Sequence, residues 1–249
     1  MNFSGLTSNP LTLGLLIFLG IQQTSQYIRS GGTIQELLIM VFAVLVSITF
    51  HEFAHAFTAD RLGDDTPRQK KRLTLNPLAH IDPIGLILLI FCHFGWGKPV
   101  PINAYNFKRN ISMRKGTALV ALAGPLMNFF LAIIFSVVLG LVIRFASAQF
   151  LLTGTGIMIL SILRALISIN VGLGVFNLIP LPPLDGSKIL AAILPSKARE
   201  WYISREKLLQ IVFLIIWVTP LASYIISPAI NWISQQLFNL ISLIAIGHI

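Results

Sequence analysis

Leu37 to Phe50 are fourteen almost entirely apolar residues, and they run without a break into His51-Glu52-Phe53-Ala54-His55. A helix that is apolar on every side is either buried in a large core or surrounded by lipid. Arg61 follows ten residues after His51, which on a helix is about 15 Å. The ionisable cluster therefore lies well inside the apolar layer. Groups at such depth are costly and mark function.

The rest of the chain makes lipid the reading. Of its 249 residues, 55% are hydrophobic and 11% charged, whereas soluble domains carry about 25% charged residues. Mean hydropathy is +0.81. A span needs about 20 apolar residues. Ile34 to Phe57, Thr117 to Ile143, Ile157 to Asn177 and Leu208 to Ile226 meet that requirement. Ile230 to Ile249 is long enough but carries Gln235, Gln236 and Asn239, and Leu11 to Ile21 is a weak span. Ile84 to Phe94 is too short to cross and suits a re-entrant or interfacial element. The expected fold is an α-helical polytopic membrane protein of about six transmembrane helices. Residues 1–33 form an N-terminal segment with the weak span, 34–207 a core with the His-Glu helix and the basic loops, and 208–249 the last spans. The run Lys98 to Phe107, with its alternating prolines, reads as an extended edge or small β-hairpin near the site.

A net charge of +9 is a signal for nucleic-acid binding, but there is no basic soluble module to carry it. If residues 60–116 and 180–207 share one side of the bilayer, that side holds 15 of the 18 lysines and arginines. The positive-inside rule then makes it cytoplasmic. Arg164 falls inside a span. Cys92, the one cysteine, excludes a disulfide framework and a cysteine-rich zinc site.

Histidines and carboxylates must supply any metal ligands. His51 and His55 stand at i and i+4, on one helix face, where both imidazoles can grip a zinc ion. Glu52 beside them can take a proton from water at the metal. A proton relay or a structural cluster is the alternative reading. Three protein ligands leave a fourth, open position for chemistry. Asp60, Asp64 and Asp65 lie in a polar loop and read as solvated, while Glu200 and Glu206 sit in a charged connector. Asp185 ends Asn177-Leu178-Ile179-Pro180-Leu181-Pro182-Pro183-Leu184-Asp185-Gly186. Its prolines break the helix, and broken backbone at membrane depth must be buried or line a wet cavity. Asp185 is the candidate third ligand, with helix capping as the alternative. His80, in a proline-bounded loop, is left open as a ligand or a donor behind the metal site. Asn128 reads as a hydrogen-bonding partner between spans.

HEFAHAF inside an apolar helix, followed far downstream by NLIPLPPLDG, resembles the site-2 protease family of intramembrane metalloproteases. Asp60 to Asp64, Arg72 to Gly85, Lys98 to Pro101 and Ala123-Gly124-Pro125-Leu126-Met127-Asn128 extend the likeness over residues 37–190. The resemblance implies His51, His55 and Asp185 as zinc ligands and Glu52 as the acid/base. It also implies that Asn177 steadies the reacting carbonyl, against a helix-end cap as the plainer role. It further implies one Zn²⁺ per chain, single-span membrane proteins as substrates, a bacterial plasma membrane and a site open to the cytoplasm. No stretch is left over for a PDZ or CBS domain. The competing classes are a metal or proton transporter using the same cluster and a silent membrane scaffold.

Overall fold

The computed structural model describes residues 33–82 and 97–247, together with Gly31 and Gly85. The weak first span, the short run Ile84 to Phe94 apart from Gly85, with Cys92 and His93, and His248 lie outside the described residues.

The first long helix, α1, spans Ile34–Arg61. Thr33 starts it with a reciprocal cap: its hydroxyl accepts from Glu36 N at 3.2 Å, and the Glu36 carboxylate accepts from Thr33 N at 2.9 Å. A polar turn and the one-turn helix α2 (Thr66–Gln69) follow. The chain then reaches α3 (Met113–Phe145), whose N-cap Ser112 accepts from Lys115 N. A short α4 (Ala148–Leu151) leads into α5 (Gly154–Asn177), capped by Thr153. Beyond α5 come α6 (Asp185–Ile193), α7 (Ser196–Ser204), α8 (Glu206–Val218) and α9 (Leu221–Ile246).

Helices α1, α3 and α5 pack on one another, and α9 packs on α3 and α5. Lipid tails are as apolar as leucine, so close packing of small residues has to bind such helices together. The buried face of α1 accordingly includes Ala43, Ser47, Ala54 and Ala59, and that of α3 Gly116, Ala121, Gly124 and Ala132. Leu38, Phe42, Phe130 and Ile133 point outward instead, as a lipid-facing surface allows. Arg164 lies on an exposed part of α5, with no ion pair among the described residues.

Four described helices are long and apolar enough to cross a bilayer: α1, α3, α5 and α9. Their limits depart from the expected spans near the C-terminus. The stretch Leu208 to Ile226 is not one helix. Helix α8 ends at Val218 after 13 residues, about 20 Å. Pro220, which has no N–H to donate, then precedes a fresh helix from Leu221. That helix absorbs the separate span expected from Ile230 onward.

The expected edge near the site is also shorter than its sequence suggests. Only one bridge, Ile81 with Gly97, forms among the described residues, and Lys98 N donates to His80 O at 2.8 Å. Residues Ala104–Asn106 already turn as a 3-10 helix. Pro99 and Pro101 have no N–H, Val100 N and Asn103 N donate to the carboxylates of Glu52 and Asp64, and Asn106 N and Phe107 N close the turn on Asn103 O and Ala104 O.

Candidate metal centre

Helix α1 carries His51 and His55 one turn apart on its buried face, 7% and 6% exposed. Their rings meet edge to face with centroids 4.6 Å apart. The third member arrives from 130 residues downstream because the chain cannot continue α5 through Pro180, Pro182 and Pro183. Leu178 and Ile179 instead close tight turns, and α6 begins at Asp185. Gly186 permits the return: a Cβ there would lie 2.3 Å from Leu178 O and 2.4 Å from Ile179 O. Asp185 thereby points its carboxylate back at α1.

Asp185 Oδ2 lies 3.2 Å from His51 Nε2 and 3.0 Å from His55 Nε2, and the two Nε2 atoms are 3.0 Å apart. Each imidazole is engaged on its far side. His55 Nδ1 donates to the carbonyl of Val120 at 2.7 Å, and His51 Nδ1 lies 2.6 Å from Asn128 Oδ1. A backbone carbonyl can only accept, so a neutral His55 carries its proton on Nδ1 and presents a lone pair at Nε2. The same holds for His51 with the Asn128 oxygen facing it. With both rings neutral, two bare nitrogens and a carboxylate oxygen converge, an arrangement that calls for a cation.

The donor set fits zinc. Two nitrogens and one oxygen match its catalytic sites, where ligand bonds of 2.0–2.2 Å at tetrahedral angles separate the donor atoms by about 3.3 Å. Among the described residues only His51, His55 and Asp185 form such a group, all three buried. His80 does not join it. It is fully buried, and its Nε2–H donates to Thr74 O at 2.8 Å. Burial pushes its imidazole below the ordinary value, against the opposing effect of the Thr74 bond.

The centre opens into a cavity of about 910 Å³, lined among others by Glu52, Val100, Asn177 and Lys188. Glu52 Oε2 accepts from Val100 N at 3.0 Å. With Pro99 and Pro101 on either side, that is the one N–H the tripeptide possesses. Gly97 brings this loop close: a Cβ there would sit 2.7 Å from the Ile48 side chain. Lys188, one turn into α6, donates to Asp185 Oδ1 at 2.9 Å, leaving Oδ2 to face the imidazoles. Asn177 is half-buried at the end of α5, where its Nδ2 donates to Leu173 O at 3.0 Å. One N–H of its amide remains to serve the cavity.

Sequence reasoning missed three of these features. Lys188 carried a visible signal, a cation at i+3 from Asp185. The Val100 N–H carried one only in the prolines around it. Asp64, expected to be solvated, is fully buried. Its carboxylate accepts from Thr66 N at 3.1 Å, Asn103 N at 2.7 Å and Asn106 Nδ2 at 3.1 Å. It thus pins the loop that presents Val100. Asp64→Ala strands these donors, each at a cost of about 1–3 kcal/mol. The expected result is a lower unfolding temperature and early proteolytic nicking between residues 98 and 106. Wild-type resistance at both would remove the anchoring role.

Comparison with known proteins adds independent findings. Residues 39–219 match the model of peptidase family M50. A candidate zinc metalloprotease of Bacillus subtilis (strain 168), YwhC, is 40% identical over 205 residues, covering 82% of this chain and 91% of that protein. The candidate zinc metalloprotease Rip2 of Mycolicibacterium smegmatis is 32% identical over 215 residues, covering 85% of this chain and 76% of its own. The zinc metalloprotease MJ0392 of Methanocaldococcus jannaschii is 28% identical over 159 residues, 64% of this chain and 35% of that protein. No solved structure matches this chain.

Proposed function

Since the chain belongs to peptidase family M50, we propose that it hydrolyses peptide bonds of single-span membrane proteins at the centre formed by His51, His55 and Asp185. It is a zinc metalloendopeptidase of the membrane. Its cuts in such spans serve regulated intramembrane proteolysis. The observation that supports this reading most is the convergence of three buried ligand atoms within 4.8 Å, beside Glu52, at apolar depth.

His51 Nε2, His55 Nε2 and Asp185 Oδ2 would hold the ion. Zinc supplies Lewis-acid chemistry, polarising an amide carbonyl and making water more acidic. Glu52 accepts a proton from the attacking water, whose oxygen bonds to the carbonyl carbon. As the C–N bond breaks, Glu52 returns that proton to the leaving nitrogen. The free N–H of Asn177 donates to the carbonyl oxygen as negative charge grows there. Lys188 keeps Asp185 in place through Oδ1. A helical substrate has its carbonyls already hydrogen-bonded, so it must unwind locally to enter the cavity.

The basic loops on either side of the site support its opening to the cytoplasm. Bacterial relatives support the plasma membrane as its location.

The test uses purified protein in proteoliposomes with single-span proteins as substrates and mass spectrometry of the products. Expected is a cut within or beside the span, stopped by a chelator and restored by zinc. Metal or proton flux without cleavage would instead establish the transporter reading.

The loop contact with Glu52 makes a sharper prediction. Val100→Pro deletes the N–H that the carboxylate accepts. A hydrogen bond to a charged group is worth about 1.5–3 kcal/mol, so the turnover rate should fall about ten- to a hundred-fold. Zinc content should stay at the wild-type value. Unchanged turnover would mean that the contact does not orient Glu52 during the reaction.

A further inference from the structure

Behind His51, buried polar side chains connect three membrane helices. Ser47 on α1, Asn128 on α3 and Asn170 on α5 are all 0% exposed. The Ser47 hydroxyl donates to Ala43 O at 2.7 Å. Asn170 Nδ2 donates to Leu166 O at 2.8 Å and to Ser47 Oγ at 2.8 Å. Asn170 Oδ1 accepts from Asn128 Nδ2 at 2.9 Å, and the same nitrogen donates to Ser47 O at 3.2 Å. Asn128 Oδ1 then faces His51 Nδ1.

The direction of every link follows from the backbone carbonyls, which can only accept. Ala43 O takes the hydroxyl proton of Ser47, leaving its oxygen to accept. Leu166 O fixes the nitrogen of the Asn170 amide on its own side, so Oδ1 turns toward Asn128. Asn170 Oδ1 and Ser47 O take the two amide protons of Asn128. Its oxygen is then left facing His51, where it can only accept. A neutral His51 must therefore carry its proton on Nδ1 and offer a bare Nε2. A flipped Asn128 amide would demand the opposite tautomer, with a proton on the nitrogen that has to bind metal.

The geometry points to Asn170 as a positioning residue for the metal centre: two hydrogen bonds from His51, it holds the amide polarity of Asn128 and so the ring orientation and tautomer of the ligand. This rests on the reading of His51 as a ligand. Groups that orient a metal-bound histidine from behind typically change affinity by about 10–100-fold. Polar residues that only bind helices together change stability and leave affinity alone.

Zinc affinity of the purified full-length protein, measured by chelator competition, separates these roles when the unfolding temperature of the zinc-free protein is recorded alongside. Asn170→Leu is expected to weaken zinc binding by about 10–100-fold, and Asn128→Leu by at least as much. The double variant should be no worse than Asn128→Leu alone, because one residue acts through the other. Ser47→Ala should shift affinity in the same direction, and it decides the matter if Asn170→Leu does not fold. Unchanged affinity in the deciding variant, or fully additive losses in the double variant, would overturn the inference. His51→Ala tests the reading underneath. If it binds zinc like wild type, the ligand assignment fails and this inference with it. If it loses zinc while Asn170→Leu keeps it, this inference alone fails.

Discussion

Glu52→Gln is expected to lower peptide-bond hydrolysis by about 10²–10⁴-fold and to leave zinc content at the wild-type level. Glutamine has nearly the shape of glutamate, and its amide oxygen can still accept the Val100 N–H. The ligand group contains His51, His55 and Asp185 but not Glu52, so metal binding has no reason to change. What glutamine lacks is the ability to take a proton from water at neutral pH and hand it to the departing amine. Zinc content by elemental analysis and single-turnover cleavage, measured on the same preparation, check both halves. Equal cleavage by the two proteins would remove Glu52 from the chemistry. Loss of zinc with loss of cleavage would make it a structural member of the site. Altered metal flux in liposomes without any cleavage would turn the cluster into a transit path.

The residues proposed to do the chemistry are those that the sequence displays most openly. His51 and His55 are legible because a helix repeats its face every three to four residues, a local rule that needs no tertiary structure. Asp185 is legible because the other carboxylates sit in polar surroundings, and three prolines mark a break in an apolar stretch. What holds these residues in place is far less visible. Asp64 stands among charged neighbours and looks solvated, yet its donors at Asn103 and Asn106 come from about 40 residues away. Asn170 is one of several polar residues in a mostly apolar helix, and its meaning depends on Asn128 and Ser47 arriving from two other helices. Hydropathy read Leu208 to Ile226 as continuous because an apolar average is insensitive to one missing N–H at Pro220. Spans are set by composition, but their limits are set by backbone hydrogen bonds.

Gly124 shows how much of the centre depends on a residue with no side chain. Val120, Gly124 and Asn128 lie at i, i+4 and i+8 on one face of α3. The outer two hold the imidazoles, through Val120 O on His55 and Asn128 Oδ1 on His51. The glycine between them leaves the room that the rings occupy. A Cβ at Gly124 would lie 2.5 Å from His55 Cε1 and Nε2 and 2.6 Å from His51 Cε1. Neither ring can retreat without giving up the bond that fixes its tautomer. Gly124→Ala should therefore weaken zinc binding by about 100-fold, the upper end for loss of groups that orient ligands. It should also lower stability by about 1–3 kcal/mol through overpacking. Gly172→Ala on α5 is the control, because a Cβ there meets nothing within 4 Å. In a helix it should be neutral or stabilising by up to about 1 kcal/mol. Chelator competition and thermal unfolding of the two variants make the comparison. If Gly124→Ala binds zinc as wild type does, the imidazoles have room to move that this packing denies them, and α3 is not the cradle of the site.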